Sequence, residues 1–252
     1  MARFSAVILF VAAIIYGPHM EAGEHLITVG DFSNLQDSKS LPENWEPLHF
    51  EDIERHTDYK PVRTENGHVI RAESQNSSSG LIRKVRIDPV KYPIVEWNWK
   101  ISNVYEKGDA RKKAGDDYPA RLYITFAYEP DKMGFFQKLK FKTVKIIYGE
   151  YPPTSTLNYI WANQVETGSI LANPYTDKVK MIAVESGSNK ANQWIRERRN
   201  ILEDYREIYG EDPPEITGVA IMTDSDNTGE EATAWYGDII FKSGKNSSPD
   251  EE

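Results

Sequence analysis

Two alternating segments around one polar loop give the strongest constraint on the fold of this chain. Val219 and Ile221 alternate with Ala220 and Met222 before the loop, and residues 234–241 alternate in the same way after it. A period of two places successive side chains on opposite faces, as in a half-buried β-strand. The loop itself, T-D-S-D-N-T-G, is the densest cluster of oxygen ligands in the sequence. The segment therefore predicts two strands joined by a loop that can bind a ligand.

The same alternation recurs along the chain. Residues 81–87, 95–101 and 121–128 alternate, and a shorter strand is expected at 179–183. Residues 157–163 predict either a strand or a short exposed segment that faces a ligand. Trp97 and Trp99 share one face of their strand, so they predict either core packing or an exposed surface for sugar stacking. Many strands with turn residues at short spacing predict a mainly β fold, which we expect to be a jelly-roll-like antiparallel β-sandwich.

Two segments change to a helical period and predict two inserted amphipathic helices. In the basic segment 131–148, Met133, Phe136 and Val144 form an apolar stripe. This helix either lies across a sheet or contacts an anionic membrane, a glycan or an envelope protein. The second helix follows Ser188 or Asn189 and ends at Gly210, a residue that suits a helix stop.

The first residues of the chain predict export. Arg3, the apolar run at 4–16 and the break at Gly17 and Pro18 have the order of a secretory signal over residues 1–22, with an uncleaved anchor as the alternative. Residues 23–242 then form one domain, and 243–252 form a flexible acidic tail. We therefore expect a periplasmic or extracellular protein.

Composition excludes several functions. A net charge of -9 argues against nucleic acid as a partner, because phosphate neutralisation needs a basic surface. The absence of cysteine excludes disulfides, a thiol nucleophile and cysteine-ligated zinc. All five histidines lie within the first 68 residues, so a catalytic triad would depend on that segment. No nucleophile elbow, zinc-protease or phosphate-loop motif is present.

Two groups of residues are candidates for a site. Spaced oxygen ligands in the polar loop suit calcium, with a turn tied by Asx hydrogen bonds as the alternative; the metal ligands would be Asp224, Asp226 and Thr228. Aromatic residues beside planar polar groups suit a glycan or another polar small ligand. The residues of this second group are Trp161, Asn163, Arg121, Tyr123, Asp116, Asp117 and Glu185.

Several sequence blocks resemble a known family. They are W-N-W-K-I with D-D-Y-P-A-R-L-Y-I-T-F, L-N-Y-I-W-A-N with N-P-Y-T-D-K-V-K-M-I-A-V-E-S-G, and R-N-I-L-E-D-Y with T-G-V-A-I-M-T-D-S-D-N-T-G and Y-G-D-I-I-F. Across residues 28–242 the chain resembles the bacterial family called domain of unknown function 3047, a resemblance that implies a fold and no activity. It is more loosely similar to galactose-binding-like jelly rolls, the fold of many carbohydrate-binding modules, which implies glycan binding by analogy.

Three functions follow from these observations. The first is an exported, non-catalytic β-sandwich that binds a glycan and is stabilised by calcium. The second is a polysaccharide hydrolase or lyase that uses two carboxylates, for which the candidates are Glu96, Asp116, Asp117, Glu185 and Asp226. The third is an envelope-assembly or structural protein that contacts its partner or a membrane through helix 131–148.

Overall fold

The computed structural model describes residues 25–36, 40–65, 67–127, 155–176 and 178–244. The predicted signal at 1–22, the predicted helix at 131–148 and residues 245–252 of the predicted tail lie outside this described part. Within it, no helix is both long enough and apolar enough to cross a membrane.

Thirteen strands, one α-helix and a short 3-10 helix at Lys113–Gly115 make up the regular structure of the described residues. The helix is α1 (Ile201–Tyr209). The strands are β1 (Leu26–Gly30), β2 (Glu46–Leu48), β3 (Asp58–Thr64), β4 (Gly67–Gln75), β5 (Ser78–Ile87), β6 (Ile94–Ile101), β7 (Arg121–Phe126), β8 (Thr156–Ala162), β9 (Ile170–Ala172), β10 (Val179–Ser186), β11 (Ile195–Asn200), β12 (Ile216–Asp224) and β13 (Glu231–Lys242).

The strands form two sheets. The six-stranded sheet has the order β11-β6-β13-β4-β3, and β1 pairs with β13 beside this path. The seven-stranded sheet has the order β2-β5-β12-β7-β8-β10-β9. The prediction of an antiparallel sandwich is wrong for one pair, because β8 and β10 run parallel. In the sequence, β9 comes between β8 and β10. Strand β9 pairs antiparallel with β10 at the edge of the sheet, and β10 lies next to β8 and runs in the same direction.

The core lies between the two sheets. Trp97 of β6 contacts Tyr159 of β8 with 5.3 Å between ring centroids, and Trp99 lies 6.0 Å from Trp161 in the same way. All four rings are almost completely buried. This packing of two inward faces confirms the predicted β-sandwich, and it places Trp97 and Trp99 in the core.

The predicted second helix is wrong in its first part. Residues Ile195–Asn200 form β11, which pairs antiparallel with β6, so only α1 follows the helical period. A complete ladder of backbone hydrogen bonds at the sheet edge outweighs a helical stripe in the sequence. The helix begins where this ladder ends: the Asn200 side chain accepts a hydrogen bond from the Glu203 amide, and Gly210 ends the helix with a φ of 73°.

A smaller apolar cluster covers the outer face of β8 and β10. Ala110 and Tyr118, from the loop between β6 and β7, lie over outward side chains of these strands together with Val165. The covered residues are Ile160, Ala162, Met181 and Ala183. Strand β8 is therefore buried on both faces, and the loop that covers it brings Asp116 and Asp117 to the outer face of the sheet.

Candidate functional site

A cleft of about 560 Å³ lies on the outer face of the seven-stranded sheet. Its floor is formed by side chains of β5, β12, β7 and β8 that point away from the core. Its walls come from the two edges of the sheet, because Phe50 follows edge strand β2 and Tyr175 follows edge strand β9. The cleft therefore spans the face of the sheet from one edge to the other.

A buried ion pair lies in the floor of the cleft. Arg121 of β7 and Asp224 of β12 are each only 3% exposed at the side chain. The guanidinium donates to both carboxylate oxygens, with Nε 2.8 Å from Oδ1 and Nη2 bonded to Oδ2. Two such charge-assisted bonds fix the orientation of both groups.

The loop before β7 completes the surroundings of Arg121. The Tyr118 ring lies 4.3 Å from the guanidinium carbon, and the Tyr118 amide donates to Asp224 Oδ1 over 3.2 Å. Arg121 Nη2 also donates to the Asp116 carbonyl, while Nη1 lies 3.1 Å from the Tyr123 hydroxyl. Arg121 therefore connects the loop before β7 with the end of β12, where the polar loop begins.

Asp117 holds the polar loop in place. Its carboxylate is fully buried and accepts hydrogen bonds from the Asn227 side chain at 3.0 Å and from the Thr228 amide at 2.6 Å. Both donors belong to the polar loop, so Asp117 fixes this loop from the neighbouring segment. Asp117 thus supports the wall of the cleft from behind, while Asp226 and Asn227 line it.

A chain of hydrogen bonds connects the walls. The Asn173 side chain donates to Asp116 Oδ2 at 3.1 Å and accepts from the Tyr175 amide at 3.0 Å. The Tyr175 hydroxyl then donates to Asn227 Oδ1 at 2.7 Å. Among the described residues, Asp116 Oδ1 has no hydrogen-bond partner although it is buried.

The site holds more carboxylates than cations. Burial raises the pKa of Asp224 to about 8, and the charge of Asp117 adds to this effect while Arg121 opposes it. Burial also raises the pKa values of Asp116 and Asp226. Burial acts against the charge of Arg121, but Asp224 outweighs it and raises the pKa of the guanidinium above its ordinary value. These carboxyl groups therefore favour a proton or a second cation.

Three carboxylates fit a hard cation by their chemistry. Asp117, Asp224 and Asp226 each offer an oxygen, and these atoms lie within 4.8 Å of one another. A carboxylate oxygen that accepts one hydrogen bond keeps a second lone pair for a ligand. Thr228, which the sequence predicts as a metal ligand, donates its backbone amide to Asp117, and its hydroxyl oxygen accepts a hydrogen bond from the Glu230 amide at 3.4 Å.

The structure brings only some of the predicted ligand residues to the cleft. Asp116, Arg121 and Tyr123 line it. Trp161 is buried in the core and donates to the Gly187 carbonyl at 3.0 Å, and Glu185 pairs with Lys190 at 2.5 Å. Asn163 is also buried, where it joins the Tyr105 amide to the Asp117 carbonyl. These three side chains do not line the cleft.

Three other residues that line the cleft were not predicted from the sequence. Phe50, Asn173 and Tyr175 lie in turns that the sequence analysis does not single out. Tyr175 is 56% exposed and Phe50 is 38% exposed, so both rings are open to a ligand. An aromatic residue within a turn rich in Asn, Pro and Thr is the signal that marks Tyr175.

Several solved structures are similar to this chain in outline. They include the K2 cleaved adhesin domain of Lys-gingipain, at 12% identity over 86% of this chain and 99% of that chain, with a TM-score of 0.41. The carbohydrate recognition domain of Emp47p matches at 13% identity over 86% and 95%, with a TM-score of 0.41. The xylan-binding module CBM15 matches at 10% identity over 88% and 98%, with a TM-score of 0.34. At such identities and scores, these likenesses carry no conclusion about what the chain binds.

Sequence comparison gives a firmer result. No curated protein matches the chain. A family model described as a protein of unknown function, DUF3047, matches residues 43–240, which is most of the chain. This match confirms the resemblance drawn from the sequence blocks. The chain therefore belongs to the DUF3047 family.

Proposed function

We propose that this chain is an exported, non-catalytic protein that binds a glycan in the cleft of the seven-stranded sheet. The observation that carries the proposal is a cleft that combines exposed aromatic rings with planar polar groups. Its volume of about 560 Å³ lies within the roughly 300–1,000 Å³ typical of small-molecule sites. Export rests on the apolar segment at 4–16, which lies outside the described residues.

The aromatic rings supply the apolar contacts that a sugar needs. Phe50 and Tyr175 stand on opposite walls, and Tyr123 lies in the floor between them. Aromatic side chains give large apolar contact areas, and tyrosine adds a hydroxyl that can bond a polar ligand. A sugar ring presents apolar C–H faces and polar edges, so it fits between rings of this kind.

The polar groups supply the hydrogen bonds. Asp116, Asn173 and Asp226 present carboxylate and amide oxygens to the cleft. The buried Asp116 Oδ1 accepts no hydrogen bond from the described residues, although Arg121 Nη1 lies 3.9 Å from it, so a hydroxyl of the ligand would supply that hydrogen bond. The surplus of carboxylates over Arg121 favours a neutral sugar over an acidic one.

A binding measurement tests this proposal. The full chain is screened on a glycan array, and the best neutral oligosaccharide is then titrated by calorimetry. We expect Tyr175→Ala to weaken binding about tenfold or more, equal to about 1.4 kcal/mol. Val90→Ala, which removes an exposed apolar side chain away from the cleft, is the control and leaves this affinity unchanged. No binding to neutral glycans, or equal loss in both variants, would contradict the proposal.

Calcium is part of the proposal as a stabilising ligand. The carboxylates of Asp117, Asp224 and Asp226 would hold it, since calcium takes oxygen ligands at about 2.3–2.6 Å. Bound there, the ion would offset the surplus negative charge behind the cleft wall.

Hydrolysis of the bound glycan is a second candidate, and one observation favours it. Asp116 and Asp226 line the same cleft, and burial raises the pKa of each. A raised pKa is the property that the general acid of a glycosidase requires. Release of reducing ends from the array-selected oligosaccharide, abolished in Asp116→Asn and in Asp226→Asn, would favour catalysis over simple binding.

A further inference from the structure

A lysine lies between two indole rings on the outer face of the six-stranded sheet. Lys100 Nζ lies 4.2 Å from the centroid of the Trp235 ring and 5.5 Å from that of Trp194. Trp194 is 38% exposed, so part of its ring is open to solvent. We call these three residues the Trp–Lys–Trp row.

Strand register explains the row. Lys100 of β6 pairs directly with Trp235 of β13, and Ile195 of β11 pairs with Trp99. Trp194 therefore lies next to Lys100 on its other side. Trp99 and Ile101 point into the core, so their neighbour Lys100 points outward.

A pit of about 210 Å³ adjoins the row on the same face. Trp194 and Asn98 line it together with Asp238, His68 and Thr64. The strand β13 has an irregular register between Tyr236 and Ile239, and this bulge includes Gly237 and Asp238. The pit is smaller than the roughly 300–1,000 Å³ of drug-sized ligand sites, so it suits one ring of a longer chain.

Glycine at position 237 makes room for a polar group in the pit. A Cβ added at Gly237 would lie 2.5 Å from the Asn98 side-chain nitrogen, so the Asn98 amide lies directly over the strand. Asp238 is held on the opposite side by Ser33, whose amide and hydroxyl donate to it at 2.8 and 2.6 Å. The pit therefore presents fixed donors and acceptors beside an aromatic ring.

Lys100 is a cation on this face that forms no ion pair with the described residues. Its neighbours are already paired: Arg71, opposite Trp235, bonds Glu73, and Arg196, opposite Asn98, bonds Glu96. Among the described residues, no carboxylate lies within ion-pair distance of Lys100. The two indoles hold its ammonium by cation–π contacts, which limits the side-chain entropy that a bound anion would remove.

We propose that the Trp–Lys–Trp row and its pit form a second binding surface, for glycans that carry carboxylates. A hexuronate would pair its carboxylate with Lys100 and stack its ring on Trp194, with a neighbouring ring in the pit. This surface lies on the opposite sheet from the cleft, so the chain holds two glycans of different charge. The proposal does not depend on binding in the cleft.

Titration of the full chain with uronate oligosaccharides tests this surface. The probes are oligogalacturonate, oligomannuronate and hyaluronan fragments at physiological ionic strength, and the methyl ester of oligogalacturonate is the uncharged control. We expect Lys100→Met and Trp194→Ala to weaken uronate binding at least tenfold. The ester should bind at least tenfold more weakly than the acid.

Matched variants separate this site from general charge effects and from the cleft. Lys91→Met removes a lysine that lies 5.3 Å from the Tyr92 ring elsewhere, and it should bind uronates like the wild type. Tyr175→Ala should also leave uronate binding unchanged. If Trp194→Ala unfolds, Trp194→Phe replaces it, and intermediate binding is expected. The proposal is overturned by no uronate binding, by equal binding of acid and ester, or by equal losses in Lys91→Met and Lys100→Met.

Discussion

Arg121 and Asp224 lie on adjacent strands and share two hydrogen bonds in the floor of the cleft, where neither side chain is more than 3% exposed. The pair therefore ties two strands of the sheet together and also lines the cleft.

We expect Arg121→Met to lower the free energy of unfolding by about 3–5 kcal/mol, because it leaves the Asp224 carboxyl group buried without the guanidinium that bonds both of its oxygens. Urea denaturation measures this change. Arg86→Met is the control, since Arg86 forms an exposed ion pair with Glu215 and its loss should change stability little. Similar results for the two variants would show that the buried pair has no special role.

Asn163 should prove structural. Its side chain joins the Tyr105 amide and the Asp117 carbonyl, and Asn163→Leu would leave both groups buried and unpaired. We expect a loss of about 2–5 kcal/mol in the free energy of unfolding. Gln164→Ala is a matched control, because Gln164 makes one exposed bond to the Glu106 carbonyl. A loss no larger than that of the control would contradict this role.

Glu197 should make stability depend on pH. Burial, and then the charge of Glu185, raises the pKa of Glu197 from 4.5 to about 7. Between these two values the folded state binds the proton more tightly than the unfolded state, so stability falls as pH rises through this window.

Glu197→Gln removes this titration because glutamine stays neutral. We expect the variant to exceed the wild type by about 1–3 kcal/mol at pH 8 and to differ little near pH 4.5. Urea midpoints across the pH range measure the difference. The exposed Glu203→Gln serves as the control, and parallel profiles for wild type and Glu197→Gln would refute the assignment.

Calcium should stabilise the protein by binding the carboxylates of Asp117, Asp224 and Asp226. At a free concentration of about 100 times Kd, we expect a gain of about 2.7 kcal/mol in the free energy of unfolding. Asp226→Asn should abolish the gain, while Asp212→Asn, at a carboxylate that is 66% exposed, should keep it. Binding should be tighter above about pH 8 than below it, since protons on carboxyl groups with raised pKa values compete with the ion. No shift in thermal unfolding would exclude calcium.

Local patterns in the sequence predict much of the sandwich. Alternation puts Trp97 and Trp99 on one face of their strand and Val219 and Ile221 on one face of theirs, and both faces lie in the core, because a strand with one buried face must alternate. The same reasoning fails for Ile195–Asn200, where a helical stripe lies in an edge strand. Edge strands bury only part of each side chain, so their hydrophobic pattern is weak and backbone pairing decides the structure.

Local patterns predict less of the candidate site, because they do not show which residues come together in the cleft. Asp116, Asp117, Asp224 and Asp226 are all candidates in the sequence, but in separate groups. The contact between Arg121 and Asp224 joins positions 103 residues apart. No local pattern encodes that distance, and the same limit explains why the sequence groups Trp161 and Glu185 with Arg121 and Tyr123 although only the latter two line the cleft.

The position of the cleft also bears on how the family can diverge. Its floor depends on a buried ion pair, so changes at Arg121 or Asp224 would be removed by selection for folding. Phe50 and Tyr175 stand outside the core, in turns beyond the two edge strands, where substitution has little effect on folding. We therefore expect relatives to keep one floor and to vary these two wall positions, so that new specificities arise without loss of the scaffold.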